Sequence, residues 1–73
     1  MNNADVAATL IEIAELLELK GETTFRIRAY ENAARALGNL PEDIRTLAAE
    51  GRLTEVKGVG DAIAKKVDEL LST

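Results

Sequence analysis

The 73-residue chain contains no cysteine and no histidine. It therefore has no disulfide and no thiolate metal site. The commonest general base and metal ligand is missing as well, which excludes Ser–His, Cys–His and His–zinc chemistry. Tryptophan is absent and only Phe25 and Tyr30 are aromatic, too few rings for a surface that stacks successive bases. No apolar run approaches the length of a membrane span and no segment reads as a signal peptide, so the expectation is a soluble, cytoplasmic chain with no membrane partner. Proline occurs once, and the apolar share rests on Ala, Leu, Ile and Val. Such a composition favours closely packed helices. At this length the prediction is one all-α domain over residues 1–73, near the lower size limit for a core without staples.

A basic excess is also lacking: the formal net charge is −4, which argues against a generic nucleic-acid binder. The distribution softens the objection. Residues 1–24 carry Asp5, Glu12, Glu15, Glu18 and Glu22 against Lys20 alone. Residues 25–38 carry Arg26, Arg28 and Arg35 against Glu31. In the last third, Arg52, Lys57, Lys65 and Lys66 gather around a glycine-rich turn.

Periodicity predicts four helices. The first runs from about Ala4 to Lys20, capped by Asn3 and closed by Gly21, with Val6, Leu10, Ile13 and Leu17 as its stripe. The second opens at Thr23 or Thr24 and closes at Gly38, burying Ile27, Tyr30, Ala34 and Leu37. Its Arg28 and Arg35 share the outer face. Pro41 opens the third, with Glu42 and Asp43 in its first turn, and Gly51 ends it. The last spans about Asp61 to Leu71 and faces Ile63, Val67, Leu70 and Leu71 inward. Short loops make neighbouring helices antiparallel or steeply crossed.

The stretch Val56-Lys57-Gly58-Val59-Gly60 leads straight into that last helix. A Gly-x-Gly turn that opens a helix leaves backbone N–H groups unpaired, which suits a phosphate. Leu53 and Val56 are placed to pack on Ile63 and Val67. Residues 52–71 together resemble a helix-hairpin-helix motif, which grips one nucleic-acid strand by its backbone.

A wider resemblance covers nearly the whole chain. Phe25-Arg26-Ile27-Arg28-Ala29-Tyr30, continuing to Ala33-Ala34-Arg35, together with Leu53 to Gly60 and Ile63 to Leu70, is similar to the N-terminal domain of family X DNA polymerases, the group of DNA polymerase beta. The resemblance implies a compact four-helix lyase-like domain that holds gapped, nicked or 5′-phosphorylated DNA as a monomer within a longer polymerase chain, nucleoid-associated in a prokaryote. Its phosphate pocket would fall to Arg26 and Tyr30, beside the turn of Gly58, Val59 and Gly60 and the nearby bases Lys57 and Lys65. A sodium or potassium ion would sit on the backbone carbonyls of Thr54, Val56 and Val59. The amine of a 5′-deoxyribose-phosphate lyase would be Lys66. The chain departs from the family pattern where a second phosphate-binding lysine falls on Ala62, where the acid beside the nucleophile falls on Lys65, and where Thr23-Thr24 and Lys57 replace common Asn-Pro and Pro.

Each residue also has a plainer role. Tyr30 lies on a core stripe, Phe25 reads as a packing plug at a helix entrance, and Lys66 can lay its stem along the core edge. The rival reading is a structural or protein-interaction module, or an engineered scaffold that keeps the fold without binding DNA. A continuous positive patch over residues 57–66 distinguishes a binder from that scaffold.

Overall fold

The computed structural model describes residues 1–72; Thr73, the end of the expected domain, lies outside them. Four helices follow in order: α1 (Asn3–Leu19), α2 (Thr24–Gly38), α3 (Ile44–Ala49) and α4 (Asp61–Leu71), with a 3-10 turn at Leu53–Glu55 before α4. The described residues contain no strand, and none of their helices is long and apolar enough to cross a membrane.

α1 starts one residue earlier than its sequence suggests. Asn2, not Asn3, is the cap. Its side chain accepts the Asp5 N–H at 2.8 Å, and the Asp5 carboxylate accepts the Asn2 N–H at 3.1 Å, a reciprocal capping box. Asn3 is used elsewhere. Its Nδ2 donates to the carbonyls of Leu40 at 3.3 Å and Glu42 at 2.7 Å. Its Oδ1 accepts the Ile44 N–H at 2.9 Å. One side chain thus ties the start of α1 to the α2–α3 connection and caps α3 from a distance. Gly21 closes α1 at φ +77, as expected, with Gly21 N–H bonded to Glu18 O and Glu22 N–H to Leu17 O.

Thr23 caps α2, accepting the Arg26 N–H at 3.3 Å. Gly38 does not break this helix. It is the last helical residue, and a β-carbon there would stand 3.7 Å from Ala7 Cβ on α1. α3 is shorter than predicted: Pro41 and Glu42 lie in the preceding bend, and Asp43 is the cap. Asp43 Oδ1 accepts the Arg45 N–H at 2.9 Å, and the Arg45 guanidinium grips the same carboxylate. These bonds hold the Asp43 carboxyl below its ordinary value, the Arg45 side chain contributing most. The tertiary bond from Asn3 fixes where α3 begins, which no local pattern reveals.

The core draws Val6, Leu10 and Ala14 from α1, Tyr30, Ala33, Ala34 and Leu37 from α2, and Ile44 and Leu47 from α3. Leu53, Val59, Ile63, Ala64 and Val67 close it from the C-terminal third. α1 packs chiefly against α2, while α4 rests on α2, α3 and the 3-10 turn.

The Asn3 clasp yields a test. Asn3→Ala leaves the part-buried Ile44 N–H without its acceptor and should cost about 1–3 kcal/mol. Asn2→Ala removes an exposed cap and should cost about 1 kcal/mol. Urea unfolding of both variants measures the difference; equal losses would show that the clasp adds nothing beyond a cap.

Candidate nucleic-acid interface

The hairpin is held by its apolar residues and its own backbone. Leu53 and Val59 are buried and Val56 is half-buried. Val56 N–H bonds to Leu53 O at 3.1 Å, and Val59 N–H to Val56 O at 3.0 Å. Gly58 lies between them at φ +97, a conformation L side chains rarely adopt. A β-carbon there would point at α2, 3.6 Å from Ala36 Cβ and 3.8 Å from Asn32 O. Gly60 is different. Its φ is −91, and a β-carbon would project into open space. Gly58 therefore shapes the turn and seats it on α2, whereas Gly60 keeps the approach to α4 bare.

α4 opens with no side-chain cap. Its first internal bond runs from Ala64 N–H to Gly60 O at 2.9 Å. The exposed Asp61 and Ala62 precede it, and their N–H groups meet no acceptor among the described residues. An uncapped helix start next to a bare glycine is an anion-accepting end. The Asp61 carboxylate shares that end and opposes an incoming phosphate.

The residues singled out in the sequence are not all brought together. Val59 puts its side chain in the core, 5% exposed, and spends its N–H on Val56. Its expected amide contact to phosphate is thus taken up inside the turn. Tyr30 is 7% exposed and is first a core residue. Lys57, Lys65 and Arg26 are exposed and in no ion pair among the described residues. Arg52, counted above with the bases of the turn, is held by Glu50 at 3.0 Å and Glu55 at 3.1 Å, which raise its already high pKa, the Glu55 bond contributing most. Lys66 is half-buried along its stem, and its Nζ lies 3.1 Å from Glu69 Oε2. Over residues 57–66 the free cations are thus Lys57 and Lys65, interrupted by Asp61, rather than one continuous patch.

Sequence reasoning missed the opposite wall of the site. Thr24, Phe25, Arg28, Ala29 and Asn32 of α2 line a concavity with Gly58. Arg28 and Arg35 are both exposed on the outer face of α2, and Arg28 stands beside the hairpin. Arg26, two residues away and about 200° round the helix, does not line this recess. Phe25 is 85% exposed and plugs nothing. A signal for this face existed: Ala29 and Ala36, small residues seven apart with Asn32 between, leave room for a hairpin on α2. The carbonyls of Thr54 and Val59 carry no hydrogen bond among the described residues, and that of Val56 accepts only the Val59 N–H.

The profile of the helix-hairpin-helix domain family matches residues 1–73, and the chain belongs to that family. The chain is also 33% identical over 58 residues to Tetratricopeptide repeat protein 21B of Xenopus laevis, an alignment covering 80% of this chain and 4% of that protein. The chain thus spans about 4% of the length of this curated relative. No solved structure matches it.

The two glycines should separate on substitution. Gly58→Ala forces a β-carbon into a positive-φ turn and should cost about 1–2 kcal/mol. Gly60→Ala meets no atom and should change stability by less than about 0.5 kcal/mol. Thermal melts of both variants decide it; a Gly60→Ala loss as large as that of Gly58→Ala would contradict the division of labour.

Proposed function

We propose that this chain binds the sugar-phosphate backbone of gapped, nicked or 5′-phosphorylated DNA without sequence specificity, as the N-terminal domain of a family X polymerase-like repair protein. Helix-hairpin-helix domains point to nucleic-acid binding in general. The observation that carries the finer reading is the pairing of an uncapped α4 start with a recess of α2 that presents Phe25 and Arg28 beside Gly58. The amides of Gly60, Asp61 and Ala62 would receive one phosphate, and Lys57, Lys65 and Arg28 its neighbours. A single exposed ring serves one unstacked base. A gap or frayed end offers such a base, and an intact duplex does not. A sodium or potassium ion on the carbonyls of Thr54, Val56 and Val59 would add positive charge on the strand side. Nucleotide addition would belong to the remainder of the parent chain, and the domain would act as a monomer.

The test is fluorescence anisotropy with a short gapped duplex carrying a 5′-phosphate. With about two to four phosphates contacted, affinity should be on the order of micromolar, with a log–log salt slope near about −2. Gly60→Ala should weaken binding roughly tenfold or more, because its β-carbon fills the approach to the amides. Arg28→Ala should weaken it more than Arg26→Ala does. Asp61→Asn should tighten it, since a carboxylate leaves the phosphate-binding end. Unchanged affinity in a folded Gly60→Ala variant would sink the phosphate-site reading.

We extend the proposal to slow 5′-deoxyribose-phosphate lyase chemistry at Lys66, the half-buried one of the two adjacent lysines on α4. Its amine would attack the open-chain C1′ aldehyde and expel water to give an imine. The imine acidifies the C2′ proton; loss of that proton breaks the C3′–O bond and releases the 3′ phosphate. The amine must first leave its ion pair with Glu69, and Ala62 offers the substrate no cationic side chain, so turnover should be slow. Borohydride should trap a trace covalent adduct with DNA carrying a 5′-deoxyribose phosphate. Lys66→Ala should remove the adduct and Lys65→Ala should keep it; absence of any adduct leaves binding without catalysis.

A further inference from the structure

α1 is apolar on more than its buried stripe. Ile11, Leu16 and Leu19 are exposed, Leu19 at 84%, on the helix that buries Val6, Leu10 and Ala14. At about 100° per residue Leu19 stands opposite Leu10 with Leu16 about 60° from it, while Ile11 lies toward α2, in a recess with Glu31, Ala34 and Arg35. A surface helix normally confines its apolar residues to one stripe. α1 packs chiefly against α2, and Leu16 and Leu19 stay exposed on its far side.

Charge says what fits there. Glu12, Glu15 and Glu18 stand among these apolar side chains, and Glu15, Glu18 and Leu19 line a shallow recess. None of the three carboxylates enters an ion pair among the described residues. Every other short ion pair of the fold is local, so these acids are left available to a partner. A second copy would bring the same carboxylates face to face, and DNA or an anionic membrane would be repelled. The complement is a helix with an apolar stripe flanked by lysine or arginine. Burial of Leu19 and Leu16 supplies the affinity, and the carboxylates supply orientation and steering.

We infer that the outer face of α1 is a docking surface for a Lys/Arg-flanked amphipathic helix. The surface does not involve the hairpin, so it stands or falls apart from DNA binding.

The probe is a 14-residue amphipathic peptide of leucine and lysine, titrated into the ¹⁵N-labelled chain, beside a peptide of the same composition with its apolar stripe scrambled. The amphipathic peptide should shift the resonances of residues 11–19 and bind more tightly than the scrambled one. Leu19→Ser should weaken it roughly tenfold. Glu15→Gln combined with Glu18→Gln should weaken it at low salt and flatten its salt dependence. All these positions are exposed, so the variants should keep the wild-type circular dichroism. Equal binding of the scrambled peptide, shifts centred on another face, or full affinity in Leu19→Ser would overturn the inference. So would a concentration-dependent dimer that Leu19→Ser abolishes, which would make the occupant a second copy.

Discussion

Close approach of α1 to α2 is the constraint on which the rest depends. The chain has no tryptophan, its one phenylalanine is exposed, and apart from Tyr30 the core volume comes from Leu, Ile, Val and Ala. Small side chains bury enough surface only when helix axes come near each other. Ala14, Ala33 and Ala34 are buried between these helices, and Ala7 faces Gly38 at van der Waals distance. α2 then presents its remaining sides to others. Tyr30 and Leu37 face the common core, and the Arg28, Asn32 and Ala36 side receives the hairpin. A bulkier α2 would lift the hairpin and part the two walls of the recess.

Charge is sorted by its partners more than by its sum. Arg45, Arg52 and Lys66 are each taken by a carboxylate two or three residues away. Arg28, Lys57 and Lys65 stay free on the hairpin side, while the unpaired glutamates crowd the outer face of α1. A net charge of −4 therefore coexists with a hairpin end that can take an anion. Because exposed charges are screened within about 10 Å at ordinary salt, the acidic helix weakens long-range attraction more than it weakens contact at the turn.

Much of the fold was readable in the chain. The four helices, Thr23 as a cap, Gly21 and Gly51 as closures and the core stripes follow from local rules, because each rests on bonds within one helix or turn. The errors share a cause. Asn favours the cap position and Asn3 fits it by local rules, yet Asn2 does that job and leaves Asn3 for α3. Pro41 was taken as the start of α3 because proline favours a first turn, yet the start is set by Asp43 and the distant Asn3. The place of Phe25 at a helix entrance suggests a plug, yet it is exposed.

The candidate site divides along the same line. The sequence alone determined that a Gly-x-Gly turn opens an amphipathic helix and that this turn belongs to a helix-hairpin-helix, because periodicity and turn chemistry are local properties of the chain. Only the tertiary structure decided which glycine shapes the turn and which clears it, that Val59 spends its amide within the turn, and that Arg28 rather than Arg26 stands across from Gly58. Those outcomes depend on how α2 is rotated against the hairpin. That rotation is fixed by the packing of small side chains far apart in the chain; the spacing of Ala29 and Ala36 leaves room on α2 but does not say what fills it.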